Sequence, residues 1–88
     1  MRLDKYLKTA RILKRREAAK ELALQGRVHV NGKAAKPSQE VKEGDLLRLE
    51  FGARILEIRI LEIKKQVSKQ NASLLFEVVK EERIEEKD

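Results

Sequence analysis

Eight cations fall within the first twenty residues: Arg2, Lys5, Lys8, Arg11, Lys14, Arg15, Arg16 and Lys20, with Asp4 and Glu17 as the acids among them. Side chains of this kind neutralise phosphates and displace the counterions condensed on a nucleic acid, which gives an affinity that falls steeply with salt. The planar arginine fork adds two-point contact with phosphate oxygens. A solvated helix face is the ordinary explanation of a single charge run. Here the cations come from two helical segments, crowd around one connector and have few acids beside them, which favours a polyanion-binding surface.

Other chemistries find little to work with. His29 is the one histidine and there is no cysteine, so thiolate sites and disulfides are excluded and a histidine metal cluster cannot form. His29 has no paired nucleophile and no evident carboxylate partner, so an exposed strand position near RNA suits it better than acid–base catalysis. Gly26, Gly32, Gly44 and Gly52 are scattered turn residues rather than a phosphate-cradling loop. Tyr6, Phe51 and Phe76 lie on apolar stripes, which points to core packing rather than base stacking. Glu81, Glu82, Glu85 and Glu86 suit solubility. The expectation is a protein that is not an enzyme and carries no metal or cofactor.

The elements that must position the cations follow from periodicity. Leu3, Tyr6, Leu7 and Ala10 fall at helical spacing over residues 2–10, leaving Arg2, Lys5, Lys8 and Thr9 on the other face. Asp4 in the first turn complements the helix dipole. Residues 11–13 form a connector in which Ile12 and Leu13 plug the gap between helices. A second helix is expected from Lys14 or Arg15 to Gln25, with Ala18, Ala19, Leu22 and Ala23 as its inner stripe and Gly26 as its stop. Lys14 stands where a capping Ser or Asp is expected. Val28 and Val30 alternate with His29 in a short strand. Asn31-Gly32 is a strong hairpin signal, and Lys33 to Lys36 would return. Leu47, Leu49 and Phe51 mark another strand. Residues 54–63 read as a further strand whose phase slips near Ile60–Leu61, as a bulge would cause. Residues 66–73 read as loop, and Leu74, Phe76 and Val78 as a last strand. Lys80 to Asp88 is charged but for Ile84 and reads as a frayed helix or disordered tail.

The chain carries a net charge of +6, unevenly placed: residues 1–42 hold 12 Lys/Arg against 4 Asp/Glu, and the remainder 9 against 11. A basic amino-terminal half beside a near-neutral remainder suits one face turned to a polyanion. With 88 residues there is room for one domain and a thin core. No apolar run approaches a membrane span, no signal peptide opens the chain, and Met1 reads as a true start, so a cytoplasmic protein is expected. Two helices with a short connector could be a helix-turn-helix, which makes a DNA-binding regulator one alternative. The second helix, however, offers only Gln25 for reading adenine edges, so a phosphate- and shape-reading surface for folded RNA fits better.

Arg2-Leu3-Asp4-Lys5-x-Leu7, Arg15-Arg16-x-Ala18 and Gly26-x-Val28-x-Val30-Asn31-Gly32, taken together, resemble the S-four RNA-binding domain, named after small-subunit ribosomal protein four. The resemblance implies an α+β fold with two packed amino-terminal helices followed by a small twisted, mainly antiparallel sheet. Its core module would span residues 1–51, a strand extension 52–79 and a charged tail 80–88. The family usually has Ser before Arg-Arg. Lys14 in its place, with Ala10-Arg11, Val28-His29-Val30-Asn31-Gly32 and Ala35-Lys36-Pro37-Ser38, is similar to the ribosome-associated branch that includes the fifteen-kilodalton heat-shock protein and the small RqcP-type proteins.

That branch implies binding to stalled large ribosomal subunits with peptidyl-tRNA, through rRNA and tRNA contacts. It also implies support of an RqcH-type tailing factor that adds alanine to the nascent chain. A heat-shock-type recycling factor or a general rRNA/tRNA-binding module is the alternative. By position, Arg2 and Arg16 would be the central ligands, with Lys5, Lys14 and Lys20 nearby. Asn31, chiefly a turn former, and Lys33 would contribute from the adjoining hairpin. A cytoplasmic, ribosome-associated monomer is expected.

Overall fold

The computed structural model describes residues 1–83. Two short helices, α1 (Leu3–Thr9) and α2 (Arg16–Leu24), precede five strands: β1 (Val28–Val30), β2 (Lys33–Ala34), β3 (Leu46–Phe51), β4 (Arg54–Ile60) and β5 (Phe76–Arg83). A 3-10 turn at Ala72–Leu75 leads into β5. The strands form one antiparallel sheet in the order β2-β1-β3-β4-β5. Both helices pack through their apolar stripes onto one core with the inward strand residues. Leu3, Tyr6 and Leu7 of α1, Ala19 and Ala23 of α2, Val28, Leu47, Leu49, Leu56, Ile58 and Ile60 are buried together. The expected α+β architecture is the observed one.

A helix of two turns has almost no stability alone, and α1 is held by its surroundings. No side chain caps it; instead the Leu3 and Asp4 amides donate to the carbonyls of Gln39 (2.8 Å) and Pro37 (3.1 Å). The Val41 amide donates in turn to the Met1 carbonyl at 2.9 Å, so residues 37–41 clamp the start of the chain. Both helices end in the same motif. Arg11 and Ile12 donate to Lys8 and Leu7, and Gly26 and Arg27 donate to Ala23 and Leu22, each pair closing a Schellman turn. The left-handed residue is Gly26 (φ 75) after α2 but Arg11 (φ 58) after α1. Asn31 and Gly32 both have positive φ, 52 and 85, as a type I′ hairpin turn requires.

Several expectations are corrected. The N-cap of α2 is Arg15, not Lys14, and it makes no side-chain cap bond. Arg15 to Glu17 are exposed. Within the expected inner stripe, Ala19 and Ala23 are buried and Leu22 partly so, while Ala18 is exposed. The return strand of the hairpin covers only Lys33–Ala34. There is no bulge at Ile60–Leu61. β4 ends there, because the Leu61 and Glu62 amides leave the sheet and both donate to the Leu75 carbonyl. The irregularity lies between Glu57 and Ile58, opposite Lys80 and Val78, where Val79 is left without a partner.

Leu74 is exposed in the 3-10 turn, and Leu75 is buried in its stead. Lys80 to Arg83 are not frayed; they complete β5 by pairing with residues 54–57. Arg54–Glu81 (2.6 Å) bridges the two strands there, and Arg59–Glu77 (3.6 Å) bridges them further along. Ladder hydrogen bonds and cross-strand pairs thus override a composition that favours a tail. The rest of the expected tail, residues 84–88, lies outside the described residues.

Candidate nucleic-acid interface

Asp4 organises the site. Its side chain is 3% exposed, yet it carries a carboxylate, and a buried carboxylate must be paired. Arg2 meets it with two parallel bonds, Nε to Oδ1 at 3.2 Å and Nη2 to Oδ2 at 3.1 Å. From the other helix, Nη2 of Arg16 reaches Oδ1 at 3.4 Å. The Lys5 amide adds a fourth donor at 2.8 Å. Arg2 and Arg16, separated along the chain by all of α1 and the connector, are therefore held against one carboxylate. Both remain about half exposed, at 50% and 45%. Their unused N–H groups open to solvent as a pre-set pair, with a residual positive charge once Asp4 is subtracted.

Burial on its own would raise the Asp4 carboxyl. The hydrogen bonds from Arg16 and Arg2, the charge of Arg16 and the Lys5 amide outweigh it and hold the group below its ordinary value of 3.8. The sign of the linkage follows. A depressed carboxyl contributes stability that is fully present above the unfolded value and is lost as pH falls through the lower folded value. Thermal melts of the parent protein and Asp4→Asn should differ above about pH 4, with the parent more stable, and converge at more acid pH. A constant difference across that window would remove Asp4 from this role.

The other cations are exposed except Lys5, which is half-buried. Lys20 lies one turn after Arg16 on α2, and Arg15 sits at its cap. Lys8, Arg11 and Lys14 do not gather at Asp4; they line a separate cleft on the far side of the connector, together with Lys65 and Lys69. Lys33 is exposed on β2, the edge strand. Asn31 is engaged within the fold, where Nδ2 donates to Asp45 Oδ1 at 3.1 Å and Oδ1 accepts the Leu46 amide at 3.0 Å. Buried Asp45 also accepts the Lys42 amide at 2.9 Å, so this lock ties the hairpin turn to the start of β3. His29 is half-buried rather than exposed, with Nδ1 shielded and without a partner among the described residues. Tyr6 is fully buried, its hydroxyl donating to the Leu75 carbonyl at 2.9 Å and its acidity suppressed by burial.

Periodicity missed Asp4, Lys65 and Lys69. Asp4 and Arg2 are two apart, a spacing that does not share a helix face, and Arg16 arrives only through packing. Lys65 and Lys69 sit in a segment with no periodicity at all. No group of His, Cys, Asp or Glu able to hold a metal ion occurs among the described residues, and no helix among them is long and apolar enough to cross a membrane.

A basic pair on two helices, locked by a carboxylate and followed by a glycine stop, a short strand and a hairpin, is matched over residues 1–47 by the model of the S4 domain. The chain belongs to the S4 domain family. The "RQC P-site tRNA stabilizing factor" of Halalkalibacterium halodurans is 51% identical over 84 residues, covering 96% of each chain. The protein of the same description from Bacillus subtilis is 44% identical over 86 residues, covering 98% of this chain and all of that one. The trimeric structure of Vibrio cholerae heat shock protein 15 superposes with a TM-score of 0.83 at 36% identity, over 90% of this chain and 81% of that one. The S4 fold and the kinship with both groups, the tRNA stabilizing factors and heat shock protein 15, are thus the ones that the residue pattern implied.

Proposed function

We propose that this S4 domain protein is a non-enzymatic RNA-binding factor of ribosome-associated quality control, acting in the cytoplasm. It holds peptidyl-tRNA on a stalled large subunit through contacts with both tRNA and rRNA, and so supports alanine tailing by an RqcH-type factor. The observation that carries this reading is the Asp4-locked pair of Arg2 and Arg16. Two guanidiniums held by one buried carboxylate lose little freedom when they meet phosphates. Near full-length similarity to relatives described as tRNA stabilizing factors of the quality-control pathway supports the choice of RNA. Lys5, Arg15 and Lys20 would add phosphate contacts around the pair. A monomer suffices, since both arginines come from one chain.

Arg16→Ala should reduce co-sedimentation with purified large subunits carrying tRNA by roughly tenfold, the cost of one charge-assisted contact. Arg83→Ala, at the end of β5, should bind as the parent does. Equal binding by both variants would sink the site assignment. The structural likeness to heat shock protein 15 favours, as a second reading, a recycling factor without a role in tailing. Alanine tailing in extracts depleted of the protein decides between them: undiminished tails select recycling. Preference for duplex DNA over tRNA at equal salt would overturn both.

A further inference from the structure

Beyond the arginine pair lies the cleft on the other side of the connector, about 700 Å³ in volume. One wall is the end of α1 and the connector, carrying Lys8, Arg11 and Lys14; the other is the segment after β4, carrying Lys65 and Lys69. No carboxylate lines it among the described residues. Lys64, the neighbouring cation, is paired to Glu62 at 3.4 Å and stays outside. Five cations converging without an acid repel one another, a cost that a polyanion relieves.

The walls are fixed relative to each other. The Leu75 carbonyl accepts the Tyr6 hydroxyl (2.9 Å), the Leu61 amide (2.8 Å) and the Glu62 amide (3.1 Å). One oxygen thereby joins α1 to the beginning of the 61–71 segment and to the turn that ends it. Ile63 and Val67 pack against the core from within that segment. Lys65 and Lys69, two residues either side of Val67, are consequently presented by an anchored stretch of chain.

An independent sign comes from the backbone. Arg11 occupies the left-handed position of a Schellman turn, φ 58, where the equivalent turn of α2 has Gly26. Non-glycine residues sit there at a cost in stability. The cost is accepted at the one turn that faces the cleft, and the side chain it places there is a cation. Leu13 and Val67 add apolar surface to the same cleft, which suits the sugar edges of a nucleic-acid strand better than a free anion.

We infer that this cleft is a second RNA site, which takes a ribose–phosphate strand between the connector and the 61–71 segment, apart from the Asp4-locked arginines. It gives the segment after β4 a binding role. It rests on the RNA-binding function proposed above, but not on the arginine pair.

Lys65→Ala/Lys69→Ala, with Arg16→Ala in parallel, tests it by fluorescence anisotropy of labelled tRNA across a salt series from about 50 to 200 mM. The double variant should keep the parental melting temperature and lose on the order of tenfold in affinity, with a salt slope shallower by one to two. Arg11→Gly should weaken tRNA binding while raising the melting temperature, a pairing that a merely structural arginine would not produce. Unchanged affinity and slope in the double variant, with Arg16→Ala still impaired, would overturn the cleft and leave the function standing. Unchanged binding in both would overturn both. Polyglutamate that binds the parent as tightly as tRNA, and is lost in the double variant, would replace RNA by acidic protein as the occupant.

Discussion

Asp4→Asn should weaken tRNA binding by on the order of tenfold or more, although it makes a basic protein more basic. Simple charge counting predicts the opposite, because removing an acid beside two arginines strengthens attraction to a polyanion. Geometry decides the sign. Asp4 accepts two bonds from Arg2 and one from Arg16 while buried at 3% exposure. An amide of the same shape keeps one acceptor, loses the charge and turns an NH₂ group towards the guanidiniums. Both long side chains then regain rotamer freedom, and ordering each of them on RNA costs about 0.5–1.5 kcal/mol. Two such costs, added to the misplacement of the forks, amount to a factor of ten or more. Anisotropy at one stated salt concentration measures it, and tighter binding by Asp4→Asn would show that the carboxylate only restrains a charge patch. The melting curve of the same variant serves as its folding control.

Tyr6→Ala should leave the protein largely unfolded near 37 °C. Removing a fully buried aromatic costs about 3–5 kcal/mol, and a domain of this size stands near the lower end of the usual 5–15 kcal/mol. Tyr6 is fully buried, and its ring supports the core where α1 meets the sheet. Tyr6→Phe separates the hydroxyl from the ring. It should cost only about 1 kcal/mol, since the Leu75 carbonyl keeps its bonds from Leu61 and Glu62. That corresponds to a fall of roughly 4–8 °C in melting temperature for a domain this small. Denaturant unfolding of the two variants gives both numbers. If they lose equal stability, the hydroxyl rather than the ring holds α1 in place.

The correspondence between sequence and fold is closest where local rules act alone. The apolar spacing of Leu3, Tyr6 and Leu7, the alternation of Val28 and Val30, and the Asn31-Gly32 turn express backbone and side-chain preferences that need no partner. Each recurs in the structure within a residue or two. Lys80 to Arg83 show the limit. Their composition favours a tail, yet β4 offers a ladder and opposite charges, so they extend β5. The slip after Ile60 has a similar cause. The chain turns out of the sheet because the carbonyl of Leu75, distant along the chain, takes the amides of Leu61 and Glu62.

From the sequence alone came two basic helices, the second stopped by glycine, a short strand and hairpin, the α+β class, and a family motif that names Arg2 and Arg16. These are properties of residue type and near-neighbour spacing. Tertiary structure alone decided that Asp4, which by position is a helix-dipole residue, is the buried acceptor that makes one site of two arginines. It also separated the eight amino-terminal cations, leaving Arg2 and Arg16 on Asp4 and sending Lys8, Arg11 and Lys14 to a cleft whose other wall is Lys65 and Lys69. The physical reason is the same in both cases. A carboxylate or a cation is defined by what desolvates it and what charge faces it, and those neighbours come from packing between segments rather than from periodicity within one.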